Sequence, residues 1–308
     1  MECGRGRRKP IPAKRLPARR PAALEFAPFS LQIAGPTSRR SSYPEESAMI
    51  VSHQHKLIFL KARKVAGTSF EIALSRFCSD GDIITPISRD DTKIRSDRGF
   101  TKAQNFNFKL VDLFAKDKEA RLFGRDIPPK FYNHLSAKQA KARLPARIWR
   151  DYRKVAIVRN PWDRAVSIFF WKNTKKNRKP KLANFTKYFK ENEYLLEINY
   201  PNYMIDGQDI VDTYIRYENF EEDILKLEAE VPGLAGLWDT FKDINAKSET
   251  RNREITTRQI FRRHPDVNAQ IVKANKWEIE KFGYTLKGTG PARIDAETTA
   301  DPEAATQA

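Results

Sequence analysis

The sequence predicts an α/β fold: a three-layer α/β/α domain built on a central parallel sheet. Two short, continuous apolar runs, residues 56–62 (KLIFLKA) and 154–158 (KVAIV), suit strands buried on both faces. Each is followed by a segment with apolar residues at helical spacing. Strand and helix patterns then alternate along the chain, as parallel strands joined by crossover helices require.

Residues 1–48 are rich in Arg, Pro, Ala and Ser and carry ten Lys or Arg against four Glu, with no apolar period. A disordered basic segment is expected there. Order should begin abruptly at Met49, which suggests Met49 as the natural start and residues 1–48 as an extension ahead of it. The alternative is a transit or nucleic-acid-binding tail. The folded domain is expected over residues 49–288, with residues 289–308, rich in Ala, Thr, Asp and Glu, as a second disordered tail.

Within the domain, residues 56–62 are the expected first strand. Phe70, Ala73, Leu74 and Phe77 mark one face of a helix over residues 68–77. Ser136 and Gln139 form a capping-box pattern ahead of a helix reaching Leu144. After the strand at 154–158, Asn160 as cap and Pro161 at the first helical position start a helix over 161–171. Residues 211–216 read as a third strand, followed by a helix over 219–230. Residues 256–263 and 266–282 read as closing helices, and no internal repeat is present.

Composition narrows the function. The chain has 308 residues, 40% hydrophobic and 31% charged, with a formal net charge of +18. This is a soluble globular composition. No apolar run approaches the roughly 18–20 residues of a membrane-spanning helix. Residues 21–35 are mildly apolar, but Glu25 and Pro28 interrupt them and no small-residue cleavage site follows, so they do not read as a signal peptide. Cys3 and Cys78 cannot make a disulfide framework, and no metal-ligand spacing occurs. A reducing, cytoplasmic setting is expected. The charge points to a polyanionic partner, whether nucleotide phosphate, nucleic acid or acidic glycan, without choosing among them.

Two segments carry chemistry. The first is LKARKVAGTSF, residues 60–70, where a buried strand runs through a short loop into a helix. Free N–H groups at the helix start and the helix dipole favour an anion there. Gly67 lets the backbone approach an oxyanion, Thr68 and Ser69 add hydroxyl donors, and Lys64 adds a compact positive charge. This is not a Walker A loop, which needs Lys directly after its second Gly. The second segment is VAIVRNPWDRAVS, residues 155–167. Arg159 stands at the C-terminal edge of a strand, where open α/β sheets bind ligands. Ser167 lies two turns along the next helix, so a planar guanidinium and a hydroxyl can converge on one phosphate. Asp163 and Arg164 are expected to pair locally, and Trp162, Phe169, Phe170 and Trp171 to be core, with stacking on a nucleotide as their other reading.

K-x-A-G-T-S after a first strand resembles the 5′-phosphosulfate loop of the PAPS-dependent sulfotransferases, and the Arg159–Ser167 run resembles their 3′-phosphate motif. Many members carry Pro before the Lys where this chain has Arg63. The wider resemblance covers about residues 49–286 and looks most like the carbohydrate branch, which includes heparan and chondroitin sulfotransferases and bacterial relatives. It implies a P-loop-like domain, PAPS (3′-phosphoadenosine 5′-phosphosulfate) as donor co-substrate, no metal, and a hydroxyl acceptor on a carbohydrate or glycolipid. It implies that Lys64, Ala66, Gly67, Thr68 and Ser69 hold the phosphosulfate, with Lys64 stabilising the leaving group, and that Arg159 and Ser167 hold the 3′-phosphate. Lys247 and Ser248, in the Asn-Ala-Lys-Ser run at 245–248, are candidates to close over the adenine or 3′-phosphate.

His134 precedes the capped helix, between the two donor motifs. A His in a similar place is the general base in the relatives, and its pKa suits the task. Its other reading is a hydrogen bond near the helix start. His53 and His55 read as surface residues and His264 as a loop residue. Tyr217 and Glu218 are expected to frame a strand–helix junction. Two other classes remain at this stage: a P-loop small-molecule kinase, which lacks its Walker A loop here, and a basic nucleic-acid-binding protein, which lacks any recognisable binding motif. Residues 79–102 and the basic run 172–181 read as loops that set acceptor choice, the second being either a grip for a polyanion or a solvated segment.

Overall fold

A computed structural model describes residues 49–107, 130–131, 135–175, 181–244 and 256–289. All of them fall within one compact unit, Pro44–Ala308. The expectations for residues 1–48 and 290–308 lie outside the described residues.

β1 (Met49–Ser52) and β2 (Leu57–Leu60) form an antiparallel hairpin whose eight residues are all buried. A loop leads to α1 (Gly67–Ser75), then β3 (Ile83–Ile84) and α2 (Arg89–Asp97). Next come α3 (Ala137–Arg143), α4 (Ala146–Asp151), β4 (Arg153–Val158) and α5 (Pro161–Lys175). α6 (Phe185–Glu191) and α7 (Tyr200–Tyr203) precede a small hairpin of β5 (Met204–Ile205) and β6 (Gln208–Asp209). β7 (Thr213–Arg216) returns to the main sheet, followed by α8 (Phe220–Glu230) and α9 (Leu237–Lys242). α10 (Thr257–Arg263), α11 (Pro265–Ala274), α12 (Lys276–Phe282) and the hairpin of β8 (Tyr284–Thr285) with β9 (Gly288–Thr289) close the described chain.

The main sheet has the order β3-β1-β2-β4-β7. β2, β4 and β7 are parallel, in register Leu60↔Ala156 and Val158↔Arg216. β1 is antiparallel to both of its neighbours, so β3 runs with the other three and β1 alone is reversed. The expectation of an all-parallel sheet is corrected to this mixed, mostly parallel one. Its cause is local: only residues 53–56 separate MIVS from LIFL, enough for a tight turn and too few for a crossover. The strand expected first is therefore second.

Asp82 braces the hairpin, accepting from Ser52 Oγ at 3.1 Å and from His53 N at 2.6 Å. His53 and His55 are half-buried in this turn rather than surface residues, held by Tyr152 Oη and the Phe77 carbonyl at 2.9 Å each. Residues 79–102 are likewise not a loop, since they hold β3 and α2. The helix expected over 266–282 breaks at Asn275, whose buried side chain donates to the Ile271 carbonyl at 3.1 Å. The capping box at the start of α3 is present, with Gln139 N on Ser136 Oγ and Ser136 N on Gln139 Oε1. No helix among the described residues is long and apolar enough to cross a membrane.

Candidate active site

The parallel strands β2, β4 and β7 end on one edge of the sheet, and residues 61–67, Arg159 and Tyr217 follow directly from those three ends. Between β2 and α1 the backbone turns twice through the left-handed region, at Lys64 (φ 60°) and Ala66 (φ 60°). Each such turn costs a residue with a Cβ about 1 kcal/mol. Fixed contacts hold it. Asn199, fully buried, donates from Nδ2 to the Arg63 carbonyl at 2.9 Å and accepts from Arg63 N at 2.8 Å. Ala66 is the N-cap of α1 and supplies no side-chain cap, so the leading N–H groups of the helix, Gly67 to Ser69, face the loop. Gly67 is required by close approach: a Cβ there would stand 2.8 Å from Lys61 Cγ. Ser69 is buried and Thr68 half-buried.

Arg159 leaves the end of β4 and is 9% exposed. Its Nη1 donates to the Lys64 carbonyl at 3.0 Å, and its guanidinium lies 4.0 Å from the centre of the Tyr217 ring. The two segments singled out in the sequence are thus joined by one hydrogen bond across 95 residues. Lys64 Nζ lies 5.2 Å from the centre of the Trp171 ring, and Lys172 Nζ lies 5.1 Å from the same ring. Ser167 is one turn before Trp171 on α5, and residues four apart share a helix face. Ser167 itself is half-buried. Trp162, Phe169 and Phe170 are buried as expected, whereas Trp171 is half-buried and meets Lys64.

Asn160 Oδ1 accepts from Trp162 N at 3.1 Å, which caps α5. Its backbone N donates to Glu218 at 2.8 Å, and Tyr284 Oη donates to the other oxygen of the same carboxylate at 3.2 Å. Glu218 thereby frames the strand ends, as its place after β7 suggested. His134, Lys247 and Ser248 lie outside the described residues. The residue after His134 is described: Leu135 is buried, and its carbonyl accepts from Asn202 Nδ2 at 3.1 Å. The same nitrogen reaches the Lys61 carbonyl at 3.4 Å. Asn202 so ties the chain that follows His134 to the end of β2.

The sulfotransferase family model matches residues 47–285. The chain belongs to the sulfotransferase family. No curated protein and no solved structure matches it. Family membership assigns sulfuryl transfer from a sulfate donor to a hydroxyl acceptor.

One sequence expectation about this sulfotransferase is corrected beside the site. Arg164 does not pair with Asp163. It is 2% exposed and donates from Nη1 to both oxygens of Glu278, at 2.8 and 2.7 Å, and from Nη2 to the Leu196 carbonyl and Asn275 Oδ1. Asp163 instead accepts from Thr257 Oγ1. The reason is position: residue 164 sits on the inward face of α5 and residue 163 on its half-buried side. His264, expected in a loop, is the non-helical residue that joins α10 to α11, and it is bound to Thr186 Oγ1 at 2.8 Å. Burial, with Arg263 beside it, holds its imidazole below the ordinary histidine value.

A cleft of about 870 Å³ opens at the opposite, N-terminal edge of β4 and β7, lined in part by Arg153, Lys154, Asp212 and Glu230. Within it Arg153 pairs with Glu230 and Lys154 with Asp212. At the C-terminal edge the sequence reading missed Asn199 and Asn202. Asn199 and Asn202 reach back 136 and 141 residues, to the Arg63 and Lys61 carbonyls.

Proposed function

We propose that this sulfotransferase moves the sulfuryl group of PAPS to a hydroxyl of a carbohydrate, on a P-loop-like, three-layer α/β/α domain. The 3.0 Å hydrogen bond from Arg159 to the Lys64 carbonyl carries the reading. It brings a loop suited to a 5′-phosphosulfate and a guanidinium suited to a 3′-phosphate to one place, as a nucleotide with phosphates on both ends of its ribose requires.

The residues fit that donor. The N–H groups of Gly67, Thr68 and Ser69, with the two hydroxyls, receive the phosphosulfate oxygens around Ala66, and Arg159 with Ser167 receives the 3′-phosphate. The acceptor oxygen attacks sulfur in line as the S–O bond to the leaving phosphate breaks. Lys64 balances the charge that grows on the leaving oxygen. His134 takes the acceptor proton. Lys247 and Ser248 close over the nucleotide. The products are a sulfated acceptor and adenosine 3′,5′-bisphosphate. A Lys and backbone donors suffice for this charge stabilisation, so no metal is assigned a role.

Calorimetric titration of the full chain with adenosine 3′,5′-bisphosphate tests the donor, with AMP and Mg-ATP as controls. Micromolar binding that needs the 3′-phosphate and no metal is expected. A preference for Mg-ATP would replace this reading with a kinase. Arg159→Ala should lose about tenfold in the preference for the bisphosphate over AMP, the loss of one charged hydrogen bond; an unchanged preference removes Arg159 from the 3′-phosphate site. His134→Ala should lower turnover about a hundredfold while leaving bisphosphate binding intact. Near-normal turnover in that variant would show that another group is the base.

A further inference from the structure

Three charged side chains lie buried behind the loop, and the reaction as written above uses none of them. Lys61, at the end of β2, is 6% exposed; Glu71, on α1, is 0% exposed; Arg95, on α2, is 1% exposed. Glu71 accepts from Lys61 Nζ at 3.1 Å on one oxygen and from Arg95 Nη2 at 2.9 Å on the other. Burying three ions is costly, and apolar residues of similar volume fill such a space at least as stably. Placement is what the ions add.

Lys61 precedes the loop and Glu71 follows it, so their ion pair staples the loop shut across residues 62–70. The Lys61 stem passes directly under the point where the loop enters α1. A Cβ on Gly67 would meet its Cγ at 2.8 Å and its Cε at 3.4 Å. Gly67, whose N is a proposed donor to the 5′-phosphosulfate, thus packs closely on the Lys61 stem. Lys61 is held by Glu71, and Glu71 is held from outside the loop by Arg95.

We propose that Lys61, Glu71 and Arg95 form a buried positioning relay that fixes the donor loop from beneath, acting through the contact of the Lys61 stem with Gly67. The inference rests on the donor reading above. None of the three touches donor or acceptor. Their effect falls on the 5′ end of the nucleotide and leaves the 3′ end, held by Arg159, unchanged.

Lys61→Met tests this, because it keeps the stem and leaves Glu71 in a one-to-one pair with Arg95. The full chain and the variant are titrated with adenosine 3′,5′-bisphosphate and with adenosine 3′-phosphate, which lacks the 5′ group. Coupling between groups in contact, as between the Lys61 stem and Gly67, predicts about tenfold weaker binding of the bisphosphate. Binding of the 3′-phosphate should stay at the wild-type value. Equal losses for both ligands mark a merely structural role and overturn the relay, as does no loss for either. Should Lys61→Met fail to give a cooperative melt, Arg95→Met, which breaks the far end of the relay, is put through the same comparison. If the wild-type chain binds no bisphosphate, the donor reading itself fails, an outcome distinct from all of these.

Discussion

Lys64→Ala is expected to lower turnover about a thousandfold, the upper range for removing one group that stabilises transition-state charge. Binding of adenosine 3′,5′-bisphosphate should change by less than about tenfold, since only one of several phosphate contacts is lost. The separation follows from how Lys64 is held. Its carbonyl, which the substitution keeps, accepts from Arg159 at 3.0 Å, so the union of the two donor segments survives. The substitution removes the ammonium, which lies 5.2 Å from the Trp171 ring centre, on the side of the loop that faces α5. A charge placed there contributes most when the leaving phosphate becomes more negative. Release of adenosine 3′,5′-bisphosphate from PAPS, followed with a mixed pool of glycan acceptors, measures the effect. Turnover within tenfold of wild type would remove Lys64 from the chemistry.

The part of this site that the sequence discloses is the part built from neighbours in the chain. A buried strand, a loop with Lys64, Gly67, Thr68 and Ser69, and a helix start lie within fourteen residues, 57–70, and β4, Arg159 and the Asn160 cap are contiguous. The parts that stay hidden depend on contacts between distant residues. Nothing near Asn199 signals that its amide will clamp Arg63, and nothing near Lys61 signals that a lysine at a strand end will be buried against Glu71. The β1–β2 hairpin escaped for a different reason. MIVS is four residues long, too short for a period-2 pattern to separate it from the start of the next strand. Asp163 and Arg164 show the same limit. Adjacent opposite charges suggest a local pair, yet 100° of helix rotation between them sends one to Thr257 and the other to Glu278.

That last pair predicts the largest loss of stability. Arg164 and Glu278 are 2% and 4% exposed, and they join α5 to α12 across 114 residues. Burial pushes the Glu278 carboxyl above its ordinary value, against the pull of Arg164. Burial also works against the charge on Arg164, yet with Glu278 beside it the guanidinium sits above its ordinary value. Arg164→Met leaves a buried carboxylate without its cation and should destabilise the fold by about 3–5 kcal/mol. With the opposing pull gone, the Glu278 pKa rises further. A carboxyl raised in the folded state binds its proton more tightly there than in the unfolded chain, so its contribution to stability is fully present below the unfolded value and is lost as pH rises through the folded one. The deficit of the variant should therefore be greatest at neutral pH and shrink as pH falls toward the ordinary carboxylate range. Arg164→Met combined with Glu278→Leu removes both charges and should recover most of the loss, because an apolar pair of similar volume carries no desolvation cost. Urea unfolding of the two single variants and the double variant at two pH values measures all three effects. A double variant as unstable as the sum of the singles would mean that packing around α5 and α12, rather than the ion pair, holds this corner together.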